Sequence, residues 1–142
     1  MYNEYQTTNY IELMKENLIL DKCKAFALRI IKLYNYLRKE KREFVISKQI
    51  VRSGMSIGAN AKEASLAQSK PAFIAKMNIS LAEAGETEYW LELLHESGYI
   101  DTSAFNSLNQ DNKELLKMLT SIIKSTRESL KKSKKEVETN NK

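Results

Sequence analysis

The chain of 142 residues has a single histidine, and it follows a glutamate at a spacing that metal chemistry uses, in Glu92-Leu93-Leu94-His95. Residues three apart in a helix share a face, so Glu-x-x-His can offer a carboxylate and an imidazole to one cation. Helical bundles that hold two irons use this element twice, with two further glutamates. Here no second histidine exists, so only another subunit could complete such a site, even with Glu83 and Glu86 on the same segment. The plainer account is a histidine near a helix C-terminus, where the dipole favours its cation. No metal is expected. The one cysteine, Cys23, lies on an apolar face with no histidine close in sequence, which is the place of a core thiol. Glycine-rich phosphate loops and zinc spacings do not occur. These residues predict neither an enzyme nor a cofactor.

Polar chemistry of another kind runs through residues 49–65. Arg52, Ser56, Asn60 and Glu63 recur three and four apart, so they form one stripe about 80° wide on a helix. If this helix folds back at Ser69 onto the next, Arg52 lies level with Glu86 and Ser56 with Glu83. The six residues Arg52, Ser56, Asn60, Glu63, Glu83 and Glu86 would then form a buried polar network that fixes register more than it adds stability. A solvated face is the alternative reading. On the other side of the same helix Ile46, Ile50, Gly54, Ile57, Gly58, Ala61 and Ala64 fall together. Gly54 and Gly58 sit one above the other, and each costs about 1 kcal/mol against alanine inside a helix. A neighbouring backbone brought close at that point is expected to offset the loss.

Formal charge is +5, with 23 Lys and Arg against 18 Asp and Glu. In an antiparallel bundle the second turn lies at the same end as both termini. Lys22, Lys24, Lys62, Lys70, Lys131, Lys132, Lys134 and Lys135 are expected to gather there. Such a patch fits RNA or DNA through phosphate contacts, since nothing in the chain looks like a base-reading module. The bland reading is a solvated helix end. Arg38, Lys39, Lys41 and Arg42 mark the opposite end as the other basic region.

The elements that must position these residues are helical. Gly counts 4 and Pro 1, and no strand pattern or repeat appears. Apolar residues Ile19, Cys23, Phe26, Ala27, Ile30, Tyr34 and Leu37 share one face of a first helix. A charged joint, residues 38–43, precedes a second helix over about 44–68. Ser69 and Pro71 read as a helix start, and Gly98 as the left-handed residue after its end. A fourth helix follows Asp101 or Thr102, with Leu108, Leu115, Leu119, Ile122, Thr126 and Leu130 along one side. The fold class is all-α, an antiparallel up-down-up-down four-helix bundle over 18–132. A polar segment, 1–17, precedes it, and a disordered polar tail, 133–142, follows it. No window approaches the roughly 18 apolar residues of a membrane span, nothing asks for an oxidising compartment, and a cytoplasmic protein is expected. The third helix is apolar on two sides: Phe73, Met77, Ala84 and Leu91 on one, and Ala75, Ile79, Ala82, Tyr89, Trp90 and Leu93 on the other. The second side, with Ile79, Tyr89, Trp90 and Leu93, is a candidate subunit interface.

Residues 49–63, with Gln49, Arg52, Ser53, Ser56, Ile57, Asn60 and Glu63, resemble a Q-x-x-R-S/A-x-x-S-I-x-x-N-x-x-E pattern. Glu86, Thr87 and Trp90 match a later Glu-Thr-x-x-Trp/Leu element. Both belong to the four-helix-bundle proteins found within intervening sequences of bacterial large-subunit ribosomal RNA genes, and the resemblance covers about residues 18–130. Gly58 and Ala64 stand where many members carry proline and glycine. The resemblance implies a homopentamer without known enzymatic activity. It also implies distant kinship to accessory proteins of diversity-generating retroelements, in which a basic pentamer binds nucleic acid and a reverse transcriptase. On that basis the expected partners are further copies of the chain, RNA or DNA, and a reverse transcriptase, with a purely protein-binding or structural oligomer as the alternative.

Overall fold

The computed structural model describes residues 4–141, with side chains from Met14 onward. Four helices account for nearly all of it: α1 Glu4–Lys39, α2 Ile46–Ser65, α3 Lys70–Glu96 and α4 Thr102–Asn140. Local chemistry sets the breaks between them. Ser69 caps α3, its hydroxyl accepting from Ala72 N at 3.2 Å, with Pro71 in the first turn. Gly98 takes the left-handed conformation (φ 85°) that ends α3. Asp101 accepts from Ala104 N at 2.8 Å to start α4.

The α1–α2 joint is organised by a residue that the sequence hides in a charged run. Glu43 N donates to Leu37 O, closing the end of α1. Its carboxylate accepts from the N–H groups of Val45, Ile46 and Ser47 at 2.7–2.8 Å, and Ser47 Oγ donates back to Glu43 O at 2.9 Å. These are the orphan donors of an α-helix start, collected by one side chain that is only 6% exposed. Burial alone would raise the Glu43 carboxyl, but the three backbone donors outweigh it and hold it below the usual carboxylate range.

Each helix packs on its neighbours in sequence, and α4 returns to α1, so the helices form the expected all-α, antiparallel four-helix bundle. Ile19, Phe26, Ile30, Leu37, Ile50, Ile57, Met77, Leu91, Leu94, Leu115 and Leu119 fill its centre. The α1–α4 seam is tied by Arg29 to Asp111 (2.6 Å) and Ser107 Oγ (2.8 Å), and by Lys22 to Glu114 (2.7 Å). Gly54 and Gly58 face α1, as their spacing predicts. A Cβ on Gly54 would lie 2.8 Å from Ile30 Cγ2 and 3.2 Å from Ile30 Cβ, and one on Gly58 would lie 3.1 Å from Cys23 Cβ.

Two helices are longer than their sequence suggests. α1 begins at Glu4 and takes in most of the segment expected to precede the bundle, of which residues 1–3 lie outside the described residues. α4 runs to Asn140 through the stretch expected to be a disordered tail, of which residue 142 lies outside the described residues. Neither extension contains Gly or Pro, and α4's is rich in Lys and Glu, so nothing local stops the helix.

Gly54→Ala should destabilise by about 1–2 kcal/mol despite its better helix propensity, because the branched Cβ of Ile30 cannot turn away. In an Ile30→Ala background the same change should cost clearly less, which a double-mutant cycle in urea measures. Glu43→Ala should cost about 1–2 kcal/mol near neutral pH. The folded carboxyl titrates below its unfolded value, so its contribution is present above the unfolded pKa of about 4.3 and is lost as pH falls through the folded one. Melts of both proteins across this range should therefore converge on acidification.

Candidate functional site

The outer face of the α2–α3 pair carries the most polar chemistry. Arg52, on the second turn of α2, reaches across to two turns of α3. Its Nη1 lies 3.3 Å from Glu83 Oε2, and its Nη2 bonds Glu86 Oε2. Trp90 Nε1 donates to Glu86 Oε1 at 3.3 Å, and the Trp90 ring meets Tyr89 edge-on at 5.1 Å. The Arg52 guanidinium holds Glu86 below the usual carboxylate range, with Trp90 assisting. Half-burial raises Glu83, and Glu86 beside it adds to that, because two carboxylates share one guanidinium.

Of the six residues expected to form a buried network, these three are joined. Ser56 and Asn60 bond carbonyls of their own helix, at Arg52 O (2.7 Å) and Ser56 O (2.8 Å), and Glu63 pairs instead with Lys76 at 2.7 Å. Within the single chain the cluster is not buried. Arg52 leaves 49% of its side chain exposed, because the α2–α3 contact covers only its inner edge. Directly beneath it lies a buried polar layer that the stripe did not reveal. The Ser53 and Thr87 hydroxyls are 2.8 Å apart, and Ser80 Oγ donates to Ile57 O at 2.7 Å. Ile79 (44% exposed) and Tyr89 (54%) stand out on the second apolar side of α3, beside half-buried Trp90 and Leu93.

The lysine-rich end is assembled differently from its sequence grouping. Lys70 Nζ donates to Ser129 Oγ at 2.6 Å, which places the start of α3 level with that turn of α4. Lys132, Lys134 and Lys135 therefore project beyond the α2–α3 turn, exposed like Lys131 before them, and Lys62 is exposed nearby. Lys22 and Lys24 do not join them. Cys23 sits against Gly58, so both lie about 12 Å along α2 from Leu66. Lys22 is also engaged by Glu114. Two open grooves bring in cations that the sequence grouping missed. One, about 320 Å³, is lined by Lys15, Glu16, Ser69, Lys70, Thr126 and Ser129 among others. The second, about 340 Å³, lies between α3 and α4 and is lined by Lys124, Arg127 and Lys131 with Asn78, Thr120 and Glu128. Lys124, Arg127 and Lys131 recur at helical spacing, the signal that could have found them.

Neither candidate for catalytic chemistry is assembled for it. His95 stacks on Phe105 at 4.4 Å, and its Nε2 lies 3.1 Å from Thr102 Oγ1, bracing the α3–α4 turn. No group of three or more His, Cys, Asp or Glu that could hold a metal ion exists among the described residues. Burial pushes the Cys23 thiol up to about 12, so its thiolate is scarcely populated at neutral pH. No helix among the described residues is long and apolar enough to cross a membrane.

Arg52→Ala distinguishes a free cluster from a covered one. In dilute single chains, with the guanidinium half in water, it should cost no more than about 1 kcal/mol. At concentrations where copies cover the face the loss should reach about 3 kcal/mol or more, since the carboxylates are then stranded. Melting curves over a range of protein concentration check both figures.

The chain has relatives among known proteins. The family model described as 23S rRNA-intervening sequence protein matches residues 15–121. A solved relative is a protein of unknown function from the S23 ribosomal protein family of Bacteroides thetaiotaomicron VPI-5482. It is 55% identical, covers 78% of this chain and 98% of its own, and superposes with a TM-score of 0.77. No curated protein matches the chain. With that match spanning all four helices, the chain belongs to the 23S rRNA-intervening sequence protein family.

Proposed function

We propose that the protein is a non-enzymatic homo-oligomeric scaffold that binds nucleic acid at its lysine-rich end. The observation that carries this reading is the convergence of cations there. Lys15 and Lys70 line one groove, Lys124, Arg127 and Lys131 line the other, and α4 extends Lys132, Lys134 and Lys135 beyond both. Grooves walled by cations and hydroxyls suit phosphate oxygens, and no element here offers base-edge readout. Binding is then weakly sequence-selective and steeply salt-dependent.

Apolar residues exposed along the sides support the same reading. α1 and α3 are diagonal in the bundle, with no close approach of their backbones. α3 exposes Ile79 and Tyr89 on its outer side, and α1 exposes Met14, Leu18 and Leu28 on its own. Two different apolar faces on opposite sides are what a head-to-tail contact needs in order to close a ring. Five is the number that the family resemblance implies. A ring of such subunits multiplies the cationic end by symmetry and strengthens its field. The exposed Ile79–Tyr89 face equally favours a second reading, a protein-only oligomer with no nucleic acid.

Native mass spectrometry at micromolar concentration should show a pentamer, and anisotropy titrations with duplex RNA should show affinity falling steeply with salt. Replacing Lys131, Lys132, Lys134 and Lys135 by glutamine should flatten the slope of log affinity against log salt by roughly one for each phosphate that is no longer neutralised. A pentamer that ignores RNA at about 50 mM salt leaves the protein-only oligomer standing. A clean monomer removes the ring.

A further inference from the structure

The far end of the bundle carries a different construction. Arg38, in the last turn of α1, lies between two aromatic rings, its guanidinium carbon 5.2 Å from the Tyr34 centroid and 5.0 Å from the Phe44 centroid. Its Nη1 is shielded from solvent and has no acceptor among the described residues. Phe44 is nonetheless 44% exposed, and Val45 beside it 74%. The backbone that carries the ring is fixed: Arg42, two residues earlier, is in the left-handed region (φ 53°), and the Glu43 carboxylate bonds the N–H groups of Val45, Ile46 and Ser47. A ring on a fixed backbone, with the Arg38 guanidinium against one face, loses less entropy when something stacks on it than one on a mobile loop.

The surroundings say what that something is. Lys39, Lys41 and Arg42 are exposed and make no ion pair among the described residues. Of the two acidic residues in the joint, Glu43 is consumed by the start of α2, which leaves Glu40 alone against four cations. We propose that this α1–α2 corner is a stacking site for an unpaired nucleobase of single-stranded nucleic acid. Phe44 takes the base on its open side while Lys39, Lys41 and Arg42 hold the flanking phosphates. One ring and one valine are too little apolar area to seat an amphipathic helix, which needs several anchors in a groove. A single ring backed by a guanidinium is enough for one base. The site lies at the opposite end from the lysine grooves and goes beyond the duplex-tolerant binding proposed there, so either can fail without the other.

The test compares an oligouridylate of about twelve nucleotides with a duplex RNA of equal length, using the full chain in anisotropy titrations at fixed salt. Phe44→Ala should weaken single-strand binding about ten-fold or more while leaving duplex binding unchanged. Phe44→Leu, which keeps the bulk and removes the ring, should lose as much, and Phe44→Trp should restore it. Each variant's melting curve checks that the corner still folds. Equal single-strand affinity in the wild type and Phe44→Leu overturns the proposal, as does failure of Phe44→Trp to restore binding. If the wild type ignores the oligouridylate yet takes up an acidic, aromatic-containing peptide through Phe44, the corner docks protein and the proposal falls.

Discussion

The α2–α3 seam is the constraint on which the rest of the bundle depends. Ser80 is a short side chain, yet its hydroxyl reaches the Ile57 carbonyl at 2.7 Å, so the two backbones run close together. The Ser53 and Thr87 hydroxyls meet at 2.8 Å two turns away, and all three residues are fully buried. A buried hydroxyl without a partner costs about 1–3 kcal/mol. Sliding α3 by one turn, about 5.4 Å, would take Ser80 from the Ile57 carbonyl and break the Ser53–Thr87 pair, leaving those two hydroxyls only the Ile50 and Glu83 carbonyls of their own helices. Polar groups in this seam therefore choose the register, and hydrophobic burial supplies the stability. Once the register is set, Arg52 falls opposite Glu83 and Glu86, and Lys76 opposite Glu63.

The same demand for closeness appears between α1 and α2, solved by removing a side chain instead of bonding one. Gly54 accommodates Ile30, and Gly58 accommodates Cys23. Between α3 and α4 the device is Asn112, whose Nδ2 donates to Ala84 O at 2.9 Å while its Oδ1 is buried without a partner among the described residues. Each of these seams thus carries a small or polar residue at mid-height, and together they rule out the sliding that a uniformly apolar core permits.

How much of this was legible in the sequence follows from how local each signal is. The starts of α3 and α4 at Ser69 and Asp101, and the stop at Gly98, are written in two or three adjacent residues and stand where those residues predict. The apolar faces follow from a period of 3.6 and are equally plain. Glu43 was hidden because a carboxylate in a run of charges looks solvated until the chain reverses around it. Ser53, Thr87 and Asn112 were hidden because helical projection gives a residue's side of its own helix but not what the facing helix offers there. That limit also explains the lysines. Lys22 and Lys24 share a terminal segment with the true end residues, but the α1–α2 register set by Cys23 against Gly58 carries them to mid-bundle. One cationic groove sets Lys15 of α1 beside Lys70 of α3, which only tertiary structure brings together, whereas Lys124, Arg127 and Lys131 of the other share one face of α4.

The distribution of surface chemistry separates sides from ends. Along the sides, α3 presents Ile79 and Tyr89 and α1 presents Met14, Leu18 and Leu28, apolar residues that water disfavours and a second copy would cover. At the ends stand exposed cations that make no ion pair among the described residues: Lys132, Lys134 and Lys135 beyond the α2–α3 turn, and Lys39, Lys41 and Arg42 at the α1–α2 corner. A ring closed through the sides would consume the apolar surface and leave both basic ends open. Like charges repeated around such a ring repel one another, a cost that grows with copy number and is relieved by polyanions. The proposed ring would therefore be biased toward polyanions at its ends, because each phosphate bound would reduce the repulsion that the apolar contacts must overcome.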